Sequence, residues 1–245
     1  MTETTRTDPT PTSETPPNNV IIGLDLAQTT DYTALSVTEV MARDRTAGNR
    51  SAVRALDRFH PHRYQDVVVR IERMLPKLRA GVHVLNRDGR SYDYVRPKVT
   101  LVLDATGVGA AVADLFAAAD LDVDLQFVTI HGGDTVTRDP ARGWRVPKRD
   151  LAGVVAVALQ NGLVEIAERI PHADLLKGEL RNFRAKISAS GHETFAAGTD
   201  DWREGNHDDL VLAVALSLWW GERGEAPGLD PDFDYYRAFR DGGIG

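Results

Sequence analysis

Four aspartates border or interrupt apolar stretches of the chain, where a carboxylate needs a physical explanation: Asp25, Asp104, Asp208 and Asp209. A carboxylate buried without a partner costs several kcal/mol or takes up a proton. Such a residue therefore usually faces a cation, a metal ion or a dense set of hydrogen-bond donors. Carboxylate oxygens select Mg²⁺ or Mn²⁺ over softer metals. The chemistry that these four acids could share is the binding of hard divalent cations.

Each acid also has a simpler interpretation that needs no metal. Asp25 could cap a turn if its strand is shorter than the apolar run, and Asp104 could cap the helix that follows it. Asp208 and Asp209, together with His207, could form the amino-terminal cap of a helix, where the helix dipole favours acids. For the last pair alone, capping is the stronger interpretation. The combination of acids at three places favours a shared site.

The chain around these acids predicts alternating strands and helices. Alternating or continuous apolar character predicts strands at 20–26, 33–40, 51–59, 99–104, 125–130 and 163–166. Apolar residues at helical spacing predict helices at 64–78, 110–119, 147–160, 172–183 and 210–220. The remaining stretches are predicted as a loop or irregular hairpin at 81–96, a basic loop containing glycines at 131–149, and a hairpin at 184–197. The wholly apolar strand before the second helix is typical of a buried parallel strand.

The composition of the chain indicates its cellular compartment and the bounds of its domain. Lys and Arg number 29 against 36 Asp and Glu, a formal charge of −7, so any nucleic-acid binding must be local. The absence of cysteine excludes disulfides and thiolate chemistry and indicates a reducing compartment. No apolar run reaches the length of a membrane span, so we expect a soluble, cytoplasmic protein. Residues 1–19 are predicted to be a disordered tail, 20–222 one domain and 223–245 a second tail.

The predicted order of elements is that of the ribonuclease H-like α/β fold, a mixed sheet with a three-strand antiparallel meander and parallel strands, flanked by helices. In that fold the first and fourth strands are neighbours, so Asp25 and Asp104 would project side by side and an acid of the last helix would complete the cluster. Two ions about 4 Å apart would then hold a scissile phosphodiester, one activating water and one stabilising the leaving oxygen. The acids would serve as ligands, not as general acids or bases.

Four motifs stand out, and three of them contain the candidate acids: Gly-Leu-Asp25-Leu-Ala with Asp31-Tyr-Thr-Ala, Leu-Val-Leu-Asp104-Ala-Thr-Gly-Val-Gly109, Val-Pro-Lys148-Arg-Asp-Leu, and His207-Asp-Asp-Leu-Val-Leu-Ala213. In order and spacing they resemble the nuclease domain of the large terminase subunit of tailed bacteriophages, over residues 20–220. The resemblance implies an endonuclease that cuts concatemeric phage DNA during genome packaging with two Mg²⁺ or Mn²⁺ ions. The resemblance also implies that the metal ligands are Asp25, Asp104 and either Asp208 or Asp209, with Asp209 slightly preferred.

Two departures from the family pattern affect this interpretation. The loop after the first strand holds Gln28-Thr29-Thr30 where the family often has glycine, which leaves the role of Asp31 open. The chain also lacks a Gly-x-x-x-x-Gly-Lys loop followed by Ser or Thr, the phosphate-binding motif of the family's ATPase motor. Either the motor is a separate polypeptide or this chain lacks it. We expect a separate motor subunit, the small terminase, the portal and double-stranded DNA as partners.

The basic residues that could contact DNA cluster in the second half of the chain. The stretch 131–149 combines basic residues with glycines and Trp144, which suits a phosphate backbone, although a merely solvated loop has the same composition. The candidate DNA contacts are Arg142, Arg145, Lys148, Arg149, Arg181, Arg184 and Lys186.

Three other functions fit parts of the pattern. An actin-like or sugar-kinase-like ATPase also begins with a strand aspartate, and residues 104–109 could form its second phosphate loop, but such proteins need two similar domains. A Holliday-junction resolvase shares the fold and the chemistry but is usually shorter and dimeric. A non-catalytic packaging module could keep the fold, but the well-placed acids argue against it.

Overall fold

A computed structural model describes residues 19–26, 32–41, 49–80, 82–85, 92–107, 109–140, 142–190 and 208–223. Its strands are β1 Asn19–Asp25, β2 Thr33–Met41, β3 Arg50–Phe59, β4 Val82–Leu85, β5 Tyr92–Val95, β6 Val99–Asp104, β7 Asp124–His131, β8 Thr137–Asp139, β9 Gly143–Pro147 and β10 Val164–Ile166. Its helices are α1 Tyr64–Leu78, α2 Gly109–Ala118, α3 Lys148–Gln160, α4 Ala173–Ser190 and α5 Asp209–Arg223.

Eight strands form one mixed sheet in the order β10-β3-β2-β1-β6-β7-β9-β8, and β4 and β5 form a separate hairpin. The first three strands are an antiparallel meander. Strand β6 pairs in parallel with β1, and β7 and β9 continue the parallel part. This arrangement confirms the predicted fold class and is consistent with a ribonuclease H-like fold.

The two faces of the sheet pack against different helices. Ile22 and Leu24 of β1 join a core with residues of α1 and α2. Ile21, which alternates with them, joins a second core with α3, α4 and α5. Helix α5 is buried on nearly every side, as its apolar sequence predicts. Within the described ranges, no helix is long and apolar enough to cross a membrane.

Helix α5 lies close against β1 and β2 because small and hydroxyl-bearing residues line the contact. Gly23 has no side chain, and a Cβ there would collide with the carbonyl oxygen of Ala213. The Ser36 hydroxyl donates to that carbonyl at 2.9 Å, and Thr38 and Ser217 share a hydrogen bond of 2.7 Å. These buried hydroxyls bond to one another and to the backbone, so they fix α5 on the sheet without an unsatisfied polar group.

The structure corrects five predictions about elements and their bounds. The stretch predicted as a basic loop contains β8 and β9, because β9 extends the sheet beside β7 and Trp144 packs against Trp219 and Trp220. The predicted hairpin at 184–197 is wrong up to residue 190, since α4 continues to Ser190; residues 191–197 lie outside the described part. Asn19 belongs to β1, and residue 223 belongs to α5. Asp25 ends β1 and does not lie inside it.

Candidate functional site

Asp25 and Asp104 are neighbours at the carboxyl edge of the sheet. They directly follow Leu24 and Leu103, which pair across the parallel strands β1 and β6. Both leucines face the core that contains α1 and α2. Because side chains alternate along a strand, the two aspartates project towards the opposite face, which α5 covers. The predicted adjacency of the two strands is confirmed.

Asp104 is the last residue of β6, and the turn that follows it fixes its carboxylate. Its side chain is buried, and Oδ1 accepts the backbone N–H of Thr106 at 2.8 Å. The Thr106 hydroxyl in turn accepts the N–H of Ile130 at 2.7 Å, and Gly107 adopts a positive φ of 76° that favours glycine. The Asp-Ala-Thr-Gly sequence after the strand therefore holds the acid in place.

The direction of α5 brings its first residues to the same edge. Ala213 lies against Gly23, and Gly221 lies against Val40 and Ile21, so the helix runs antiparallel to β1. From Gly23 the strand rises roughly 6.6 Å to Asp25. From Ala213 the helix extends about 6 Å back to Asp209. The start of α5 is therefore level with Asp25 and Asp104.

Arg58 is a basic residue of this edge that sequence analysis did not identify. It pairs across β3 and β2 with Ala34, which pairs with Asp25. Its Nε and Nη2 donate to Asp209 Oδ2 at 3.0 and 2.9 Å, and its guanidinium carbon lies 3.8 Å from the ring centroid of Tyr32. The ion pair is largely shielded, with 12% and 20% of the two side chains exposed. Arg58 therefore fixes Asp209 at one oxygen.

Glu179 of α4 is a further acid that the sequence did not single out. It is 5% exposed, and its Oε2 accepts the N–H of Val211 at 3.2 Å. Its other oxygen, Oε1, is buried and has no hydrogen-bond partner among the described residues. Burial, together with the charges of Asp209 and Asp208, raises the pKa of Glu179 to about 7, against the opposing effects of the Val211 N–H and Arg58. Part of the Glu179 population is protonated at neutral pH.

The carboxylate oxygens at this edge are suitable ligands for a hard divalent cation, although the side chains do not converge on one point. Among the residues that the structure describes, no three carboxylate or imidazole groups are close enough to hold one ion. All the candidate ligands are carboxylates, and one further carboxylate oxygen, on Glu179, is buried nearby. Ion binding would require Asp25, Asp104 and the α5 acids to turn towards each other.

The carboxyl ends of strands β7 and β9 extend beyond the edge of the sheet that carries Asp104. Trp144 pairs with Val128, which pairs with Asp104, so the last residues of both strands extend beyond β6. Arg142 lies in the turn before β9, and Lys148 and Arg149 begin α3 just after it. Lys148 and Arg149 therefore lie beyond the level of Asp104, whereas Arg142, two residues before Trp144, lies on the other side of that level.

The other predicted DNA contacts are distributed differently. Trp144 and Val146 pack on the α5 side of β9, so Arg145, which lies between them, projects from the opposite face. Arg149 donates to the carboxylate and the carbonyl of Asp134. Arg181 is exposed on α4. The side chains of Arg184 and Lys186, and residue His207, lie outside the described part.

The buried Glu179 predicts a dependence of stability on pH. Between about 4.5 and 7 the folded state binds more protons than the unfolded state, so Glu179 lowers stability as the pH rises through this window. Glu179→Gln lacks this titration, so its stability relative to the parent should rise by about 3 kcal/mol between pH 4.5 and pH 8. Urea unfolding at several pH values with chelator measures the difference. Parallel pH profiles for the two proteins would contradict this assignment.

Comparison with known proteins finds terminase large subunits of two phages. No protein-family model matches the chain. Over 196 residues, or 80% of its length, the chain is 27% identical to the terminase large subunit of Thermus phage G20c, and equally to that of Thermus virus P23-45. It spans about 30% of the length of each relative. Most of this chain is therefore similar to a part of the large terminase subunit of these phages.

Proposed function

We propose that the chain is a metal-dependent endonuclease that cuts phage DNA during genome packaging. The observation that carries this proposal is the pairing of Leu24 with Leu103, which sets Asp25 beside Asp104 with the start of α5 at the same level. The similarity to large terminase subunits supports the packaging role. The proposed ligands are Asp25, Asp104, Asp208 and Asp209, and the proposed cofactor is Mg²⁺ or Mn²⁺ as two ions.

The residues of the chain have distinct tasks in this proposal. When bound, the ions would polarise the phosphodiester and generate the attacking hydroxide. The Thr106 N–H orients Asp104, and Arg58 holds Oδ2 of Asp209, which would leave Oδ1 to bind an ion. Arg58 also offsets part of the negative charge that the acids concentrate at this edge.

Double-stranded DNA is the proposed substrate, and its proposed contact is the segment 142–149, which contains β9 and the start of α3. Because the formal charge is −7, affinity must come from local cations. ATP hydrolysis is proposed to come from a motor outside these 245 residues, since they contain no Gly-x-x-x-x-Gly-Lys loop. Small terminase and portal are proposed as further partners.

Cleavage of supercoiled plasmid tests the function directly. Nicked and linear products should form with Mn²⁺ or Mg²⁺ and disappear when a chelator is added. Calorimetric titration of ATP should show no tight binding. Micromolar ATP binding with hydrolysis and no DNA cleavage would favour the kinase-like alternative and overturn the nuclease proposal.

The salt dependence of DNA binding tests whether the segment 142–149 contacts the DNA. Arg142→Gln with Lys148→Gln should weaken binding to all sequences and reduce the log–log salt slope by roughly two, about one for each lost phosphate contact. Fluorescence anisotropy between low and moderate salt measures the slope. The matched control is Arg73→Gln with Lys77→Gln, which are exposed on α1 at the other face of the sheet. If both double variants change the slope equally, DNA binds to another surface of the protein.

A further inference from the structure

The first turn of α5 carries two candidate ligands and backbone N–H groups that need acceptors. The carbonyl of Asp208 accepts the N–H of Leu212 at 3.0 Å, which makes Asp208 the cap residue of the helix. The N–H of the third helical residue is a usual partner of the cap side chain. In α5 that residue is Val211, and its N–H is donated to Glu179 of α4. A second helix thus supplies an acceptor for the cap of α5.

Glu179 occupies a position where an apolar residue would otherwise be expected. It is almost fully buried on α4 within an environment that also contains Leu176 and Leu180. One of its oxygens has no hydrogen-bond partner among the described atoms. Burying a carboxyl group with one oxygen unbonded disfavours folding, so stability does not explain why a glutamate is present here. Its one hydrogen bond to the described chain is the bond to α5.

We propose that Glu179 is a positioning residue of the acidic centre, which fixes the turn that carries Asp208 and Asp209 by capping α5 from α4. This inference rests on the proposed nuclease function. The bond to Val211 ties the rotation of the first turn of α5 to α4, while Arg58 ties Asp209 to β3. Together the two contacts hold the start of α5 level with the carboxyl edge of the sheet.

Two substitutions separate positioning from direct metal binding. Glu179→Gln keeps an oxygen that accepts the Val211 N–H but has no charge, and Glu179→Met removes the acceptor while filling a similar volume. We expect Gln to cut plasmid within about threefold of the parent. We expect Met to be slower by about 10- to 100-fold, as is typical when a group that orients a ligand is lost, and to need more Mn²⁺. Glu168→Met, exposed in the turn before α4, is the control and should change nothing.

Hydrogen exchange without metal or DNA gives a readout that does not depend on cleavage. The amide of Val211 should exchange about fivefold faster or more in Glu179→Met, the factor expected for a lost helix cap, and at the parental rate in Glu179→Gln. If circular dichroism shows that Met unfolds the protein, Glu179→Asp replaces it, because its shorter carboxylate withdraws from Val211 and should behave as Met does.

The outcomes distinguish the two proposals. Unchanged exchange at Val211 in the Met or Asp variant would overturn the capping role. Loss of cleavage in Glu179→Gln as large as in Glu179→Met, with the same rise in the required Mn²⁺ concentration, would make Glu179 a ligand and overturn the positioning role. A parent protein that cuts no DNA would refute the nuclease function, whereas faster exchange in Met alone would still support the capping of α5.

Discussion

Asp25→Asn is expected to lower plasmid cleavage at least about a thousandfold while the protein stays folded. A ligand that helps stabilise transition-state charge is worth several kcal/mol, and each 1.36 kcal/mol is about a tenfold change in rate. The fold should persist because Asp25 is half-buried at the end of β1, where it adds negative charge beside Asp104. Without metal, neutralising one of these charges relieves repulsion, so the melting temperature should stay the same or rise slightly.

Initial rates with Mn²⁺ and thermal melts with chelator measure the two effects. Asp57→Asn is the matched control, because Asp57 lies near the end of β3 and faces α1, where it pairs with Arg70. It should cut DNA at the parental rate. Cleavage by Asp25→Asn at that same rate would show that the sequence motif around Asp25 was assigned the wrong role.

The placement of Asp25 and Asp104 could be predicted from the sequence because both depend on strong local patterns. Helix α1 and strand β6 occur at the predicted bounds, since a long apolar stripe and a wholly apolar run leave few alternatives. The order of elements then sets the two strands side by side. Their pairing is a property of the topology, so it followed once the individual elements were identified.

The strands β8 and β9 could not be recognised in the same way. Strand β8 has only three residues, all polar, and the five residues of β9 begin with Gly143 and end with Pro147. β9 becomes a strand because it pairs with β7 and because Trp144 contacts Trp219 and Trp220 of α5. Those tryptophans lie about 75 residues further along the chain. Local composition carries no sign of such a contact, so tertiary packing overrides the loop preference.

Glu179 and Arg58 were missed for a related reason. In the sequence each is one charged residue among many in a helix or strand, and nothing local marks it as buried. Glu179 contacts Val211 of α5, and Arg58 pairs with Asp209 of the same helix. A charged residue whose neighbours come from a distant element can be identified only once the packing of α5 is known.

Gly23→Ala is expected to destabilise the protein by about 3 kcal/mol or more, because the added methyl group has no space. An ideal Cβ at Gly23 would collide with the backbone carbonyl of Ala213, which cannot rotate away as a flexible side chain could. To relieve the contact α5 must move from the sheet, which breaks the Ser36 hydrogen bond to the same carbonyl. Forced overpacking of a well-filled core typically costs about 1–3 kcal/mol, and a rigid backbone partner puts this site at the upper end.

Urea unfolding measures the loss, and a second glycine provides the control. Gly153 is exposed in α3, and a Cβ there meets nothing within 4 Å, so Gly153→Ala should raise stability by about 0.5–1 kcal/mol through helix propensity alone. Because displacement of α5 also carries Asp208 and Asp209 away from Asp25, Gly23→Ala should lose cleavage even at temperatures where it remains folded. Equal stability and equal activity in the two alanine variants would mean that α5 does not pack on β1 as closely as described.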